Sequence, residues 1–191
     1  MGGMDSNAST TTPLQSASEI ISFWREAGPD QWFAKDADFD RRFRAHCLPL
    51  HEAAIRGDLK SWQANPDGAL ALVLLLDQFP RHCFRDTPRM FATDAQARAV
   101  ADAAIEAGQD LLVDPDLRVF FYLPFEHSED LADQDRSVAL AAPLEALYRS
   151  YAELHREIIL RFGRFPHRNA ILGRASTPDE QRYLDEGGFG G

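Results

Sequence analysis

Residues 65–80 read Asn65-Pro66-Asp67-Gly68-Ala69-Leu70-Ala71-Leu72-Val73-Leu74-Leu75-Leu76-Asp77-Gln78-Phe79-Pro80. Asn65 is a good helix N-cap, because its side-chain oxygen can accept from an orphan amide of the first turn. Pro66 follows at the first helical position, where its missing N–H is not needed. The stretch therefore predicts a strongly apolar helix over Asp67 to Phe79, stopped by Pro80. Its unbroken apolar run, Ala69 to Leu76, is far short of the roughly 20 residues of a bilayer span.

The neighbouring sequence punctuates itself in the same way. Ser16-Ala17-Ser18-Glu19 is a capping box opening a helix with Ile20, Phe23 and Trp24, closed by Gly28-Pro29. Asp36 to Arg56 reads as a longer helix kinked at Pro49 and ended by Gly57. Thr87-Pro88 starts an Ala-rich helix running to Gly108, and Asp114-Pro115 a short one through Tyr122, ended by Pro124. Helices from Glu126 to Ala141 and from Pro143 to Phe162 follow, then a second capping box, Thr177-Pro178-Asp179-Glu180. No stretch alternates with period two. The predicted fold is all-α: seven to eight helices stacked as antiparallel pairs, tetratricopeptide-like but without a sequence repeat. Residues 1–16 are expected to be disordered, 17–186 to form one helical domain, and 187–191 to be a flexible glycine-rich tail.

The chain has 191 residues, of which 45% are hydrophobic and 26% charged, an ordinary globular balance. Thirty acidic against 20 basic residues give a net charge of −10, which disfavours nucleic-acid and membrane-surface roles. Eighteen of the basic residues are Arg and only Lys35 and Lys60 are Lys, a skew that codon usage alone can write. Only the placement of the arginines is informative. Cys47 and Cys83 are too few for a disulfide scaffold and read as buried small hydrophobes. Met1 to Ser6 matches a myristoylation pattern but reads as an unstructured start, and no secretory signal is visible. The expected location is the cytoplasm.

Dinucleotide, P-loop, zincin and nucleophile-elbow motifs are absent. No cofactor is implied, and Glu126, His127, Glu129, Asp130 and His167 have no spacing diagnostic of a metal site. Polar groups concentrate in three segments. In the first, the apolar helix ends in Asp77 and Gln78, and Pro80 aims Arg81 and Arg85 around a corner. In the second, Glu126, Glu129, Asp130 and Asp133 suit a helix N-terminus, with His127 and Gln134 on a core-facing stripe and the carboxylates facing water or a cleft. In the third, Arg161, Arg164, Arg168 and Arg174 interleave with Phe162, Phe165, Ile171 and Leu172, so the loop is pressed onto the protein body. Its arginines must then meet acids, carbonyls or an anionic ligand.

The strings LLDQFPR (75–81), LPFEHSEDLADQ (123–134) and RFGRFPHRNAILGR (161–174), with Phe23-Trp24, Trp32-Phe33 and the late STPDE, resemble a bacterial family catalogued as domain of unknown function 924. The resemblance runs from about Ile20 to Leu184. It implies a tetratricopeptide-like helical stack in soluble bacterial proteins, and no established reaction, cofactor or catalytic residue. His82 departs from the family, which more usually shows Asn after the Pro-Arg pair.

Three readings of function follow. In the first, Asp77, Arg81, Arg85, Arg164, His167, Arg168, Asn169 and Arg174 line a pocket that captures a small anion or a peptide carboxylate. In the second, the protein is a small hydrolase or lyase in which His127 works as acid/base with Glu126 or Glu129, and arginines stabilise developing charge. In the third, these groups are internal ion-pair scaffolding, with His127 a core histidine bonded to Gln134 or to a carbonyl. The geometry of the three segments separates them.

Overall fold

The computed structural model of the protein describes residues 14–191, so the Met1–Ser6 pattern lies outside the described residues. The fold is all-helical. The helices are α1 (Ala17–Ala27), α2 (Pro29–Trp32), α3 (Ala37–Arg56), α4 (Pro66–Val73), α5 (Phe79–Cys83), α6 (Asp94–Glu106), α7 (Val119–Glu126), α8 (Leu131–Ala141), α9 (Ala146–Phe162) and α10 (Pro178–Asp185). A wide π-helical turn, Leu74–Gln78, joins α4 and α5 into one rod. Counted that way, the described residues form nine helices, and all but the single turn α2 reach seven residues.

Both predicted capping boxes form: Ser16 accepts from the Glu19 amide and Thr177 from the Glu180 amide, each with the glutamate reaching back. Asn65 caps α4 by accepting from the Gly68 amide. Each such cap is worth about 1 kcal/mol, which matters for helices of eight or eleven residues. Gly68 has a second task. A Cβ there would stand 2.1 Å from the Trp62 carbonyl oxygen, so only glycine lets the 60–64 turn lie against α4.

Among the helix boundaries that differ from the sequence reading, three bear on the site. Pro80 does not stop the apolar helix, because the wide turn absorbs it. Within that turn the Phe79 amide donates to the Leu74 carbonyl, five residues back, which leaves the Leu75 carbonyl without its usual partner. Pro80 has no amide to offer Leu76. Side chains from elsewhere satisfy both oxygens: the His51 Nδ1 lies 2.8 Å from the Leu75 carbonyl, and the Thr93 hydroxyl donates to that of Leu76. Pro124 likewise lies inside α7, all eight of whose residues are buried, so packing outweighs the ~3 kcal/mol of a helical proline. Finally, the helix expected over Glu126 to Ala141 is two. α7 ends at Glu126, and Asp130 caps α8 by accepting from the amides of Ala132 and Asp133.

The rod α4–α5 is the centre. α4 packs against α1, α6 and α7, and α5 against α3, while α6, α7, α8 and α9 pack successively in antiparallel fashion. Trp24, Phe39, Phe43, Phe79, Phe120 and Phe121 fill the interior with essentially no exposure. Cys47 is fully buried and Cys83 partly so, both as free thiols with raised pKa; burial pushes Cys47 up to about 12. No helix among the described residues is long and apolar enough to cross a membrane.

Candidate active site

The end of the central rod, the α7–α8 linker and the mid-part of α9 surround a cavity of about 430 Å³. Trp32, Phe33, Leu123, Leu147, Tyr148 and Tyr151 form its apolar walls, with Phe189 and Gly191 from the chain's last residues. Gln78, Arg81, His82, Arg85, Glu126, His127 and His155 supply its polar side.

Asp77 lies behind this polar side with no exposure. Its Oδ1 is 2.8 Å from the His127 Nδ1 and 3.0 Å from the Arg81 Nη1, and its Oδ2 accepts from the Gln78 side-chain Nε2 at 2.7 Å. Burial opposes charge on Asp77, but Arg81 and the His127 hydrogen bond outweigh it and hold the carboxyl below the usual range. Arg81 also donates bidentately to Asp94, at 2.8 and 3.1 Å. Because Asp77 is a carboxylate, the His127 Nδ1 must carry the proton and donate it. The other ring nitrogen, Nε2, makes no hydrogen bond among the described residues, and the ring lines the cavity. Burial, then the Arg81 charge, lowers the His127 pKa, so the imidazole is neutral near pH 7.

Glu126 is 7% exposed, and its exposed part faces the cavity. Burial, then the Asp77 charge, raises its pKa to about 8, against the opposing pull of Arg81. Its Oε1 lies 3.3 Å from the His155 Nδ1, at ion-pair distance. An ion pair is nonetheless the wrong description. His155 is pushed down to about 3 by burial, and its Nδ1 already donates to the Tyr151 carbonyl at 2.8 Å. Both groups are neutral at pH 7. The site thus pairs an imidazole oriented as a proton acceptor with a carboxylic acid kept protonated.

Of the residues named from sequence, the structure brings Asp77, Arg81, Arg85, Glu126 and His127 to or directly behind the cavity. It leaves the others outside its lining. Arg85 is held by Asp40, at 2.8 and 3.2 Å, and by the Ala34 carbonyl at 3.0 Å. Glu129 is tied to Arg174 at 2.6 and 2.9 Å and accepts from the Phe165 amide; these contacts outweigh burial and lower its pKa. Arg164 donates twice to Glu180, at 2.6 and 2.7 Å, holding that carboxyl down at about 2. Asn169 joins the same cluster through Ser176, Glu180 and Arg174. His167 packs against Phe165 and Phe189, its pKa lowered to about 4 by burial. Arg168 lies between the rings of Phe91 and Phe165, at 4.4 and 4.5 Å, and donates to the His127 carbonyl at 3.0 Å. His127 bonds the Asp77 carboxylate rather than Gln134 or a carbonyl, and Gln134 donates to the carbonyls of Glu126 and Ser128 and braces the linker. Glu126, the last residue of α7, turns inward and faces the cavity.

Asp94, Asp40 and His155 belong to the site, and the sequence reading did not select them. Asp94 looks like any acid at a helix start and Asp40 like an acid in a first turn, so neither carried a signal. His155 lies on the buried face of α9, and no local pattern in the sequence announces its closeness to Glu126. Among the described residues no group of three or more His, Cys, Asp or Glu side chains is disposed to hold a metal ion.

A profile of the family described as "Bacterial protein of unknown function (DUF924)" matches residues 20–188. The chain belongs to that family. Among solved structures it is similar to one described as the protein of unknown function ATU0120 from Agrobacterium tumefaciens. The two share 56% sequence identity with a TM-score of 0.88, over 90% of this chain and 97% of the Agrobacterium one. No curated protein matches. The match with the DUF924 family spans α2 to α10 and most of α1, and includes every cavity-lining residue from Trp32 to His155.

Proposed function

We propose that the protein is a small enzyme of the hydrolase or lyase type, with this cavity as its active site. The observation that carries the reading is the pairing of His127, oriented through Nδ1 by a fully buried Asp77, with a neutral Glu126 on the same cavity. His127 Nε2 takes a proton from a water or a substrate C–H, while Glu126 gives its proton to the departing oxygen or nitrogen. Asp77 stabilises the imidazolium as it forms and fixes the tautomer, the part an acid plays behind a catalytic histidine. Among the described residues no Ser, Thr or Cys lines the cavity, which favours attack by water or proton abstraction over a covalent Ser, Thr or Cys nucleophile.

Anion capture by arginines has less support. Arg164, Arg168 and Arg174 do not line the cavity, and Arg81 and Arg85, which do, are each held by carboxylates. The third segment fits the scaffolding reading instead.

The test is the protonation state of His127, read from ring 15N shifts in 15N-histidine-labelled protein at pH 7. The expected result is a neutral ring with the proton on Nδ1. An imidazolium, or a proton on Nε2, would refute the proposal. In a screen of small esters, amides and β-substituted acids, turnover should fall by about 10²–10⁴ in His127→Gln. Turnover untouched by that change would place the chemistry elsewhere.

A further inference from the structure

The lining of the cavity carries an unbalanced charge. In a chain of net charge −10, the charged residues that line it are Lys35, Arg81 and Arg85 against a single acid, Glu126. That acid is protonated at pH 7, and burial lowers His82, His127 and His155 so that all three imidazoles are neutral there. The carboxylates that hold the arginines, Asp77 and Asp94 on Arg81 and Asp40 on Arg85, lie outside the lining. Lys35 is exposed, lines the cavity, and has no ion-pair partner among the described residues. It belongs to the same loop that anchors Arg85: the Arg85 Nη2 donates at 3.0 Å to the carbonyl of Ala34, the residue before Lys35, while its Nε and Nη2 hold Asp40. The Arg85 Nη1 donates to no group among the described residues. Asp40 and Ala34 thus fix the guanidinium in place and leave two of its five N–H groups uncommitted, along with the whole Lys35 ammonium.

These cations sit among apolar walls. Phe33 and Leu147 line the cavity while 56% and 60% exposed, so the apolar surface of Trp32 and Leu123 continues outwards to solvent. A molecule whose apolar body covers these walls also strips water from the cations beside them, and an unpaired charge taken out of water is costly. An anionic head removes that cost, and in the drier surroundings its attraction to the cations is stronger than at an open surface. One unmatched cation calls for one negative charge. Resting on the acid–base reading above, we propose that the substrate class is an amphipathic carboxylate: its head set at Lys35 and the Nη1 of Arg85, its aromatic or aliphatic body laid along Trp32, Phe33, Leu123 and Leu147.

Phenylacetate, phenylacetamide, phenethylammonium and benzylphosphonate share a benzyl body and differ in the head, so they test this directly. Each is titrated at pH 7 into the full-length protein by calorimetry. Phenylacetate should bind saturably, at least tenfold tighter than the amide and the ammonium, and tighter than the more highly charged phosphonate. Lys35→Met removes an exposed residue without an ion-pair partner among the described residues, so the melting temperature should not move. The same change should weaken phenylacetate about fivefold, the most an exposed ion pair is worth, and leave the amide within twofold. Lys35→Arg should restore phenylacetate binding. The amide, the ammonium or the phosphonate binding as tightly as phenylacetate overturns the proposal. So does phenylacetate affinity indifferent to Lys35→Met, or no saturable phenylacetate binding at all. The tautomer of unliganded His127 is measured without any probe; phenylacetate binding that needs Lys35 beside an imidazolium at His127 would refute the acid–base reading alone.

Discussion

Replacing Glu126 by Gln removes a titrating proton from the interior while keeping the side chain's shape. In the unfolded chain the carboxyl titrates near 4.5, and in the folded protein burial and Asp77 raise it to about 8. A carboxyl whose folded pKa is raised leaves the fold untouched below its unfolded pKa and weakens it progressively as pH rises to the folded value. Each unit is worth about 1.4 kcal/mol, so the interval from 4.5 to about 8 amounts to a cost on the order of 5 kcal/mol above pH 8. At 7% exposure, solvent screening removes little of this. Glu126→Gln should therefore match the unaltered protein at pH 5 and exceed it at pH 9 by several kcal/mol. For a chain of this size that is about 10–20 °C in melting temperature. Urea unfolding of both proteins at half-unit steps from pH 5 to 9 reads the difference, in which titrating groups not coupled to Glu126 cancel. A difference that stays flat with pH would refute the buried neutral acid and, with it, the acid of the proposed mechanism.

His155 works in the opposite direction. Its folded pKa, about 3, lies below the unfolded value of 6.5, so stability falls as pH drops through that window; His155→Gln should flatten the loss between pH 6.5 and 4 in urea unfolding. Glu180 has almost no side-chain exposure and serves Arg164, Asn169 and the Thr177 cap together. Its replacement by Ala should cost about 3 kcal/mol, or roughly 6–12 °C by calorimetry, with the His127 ring shifts unchanged. Gly68→Ala forces a Cβ into the Trp62 carbonyl and should lower the melting temperature by about 2–12 °C, from the ~1–3 kcal/mol of an overpacked site, whereas an alanine that raised it would show the 60–64 turn free to move aside.

Local chemistry was legible and long-range chemistry was not. Ser16, Asn65 and Thr177 announce helix starts because a cap is a matter between residues two or three apart. Pro80 and Pro124 misled because the groups that accommodate a proline inside a helix come from elsewhere: His51 and Thr93 for the one, the surrounding core for the other. The three polar segments stand out in the sequence, yet their division does not. The first two meet at the cavity through the Asp77–His127 bond across 50 residues, while the third pairs mostly with Glu129 and Glu180. An arginine's partner depends on which acid the fold brings within 3 Å, and nothing in the spacing of Arg164 or Arg174 names it.

The wide turn at Leu74–Gln78 also fixes the length of the segment that contains it. Each α-helical residue turns the chain by about 100°, so the extra residue in this turn sets the bearing of Gln78, Arg81 and Arg85 relative to α4. Deleting one residue there would restore regular winding and swing those side chains a quarter-turn or more from the cavity. The same deletion would break the hydrogen bonds from His51 and Thr93 to the turn's carbonyls. Insertions and deletions in family members should therefore collect in the loops around α4 and α5, such as 57–64 and 84–93, and spare the eighteen positions from Pro66 to Cys83.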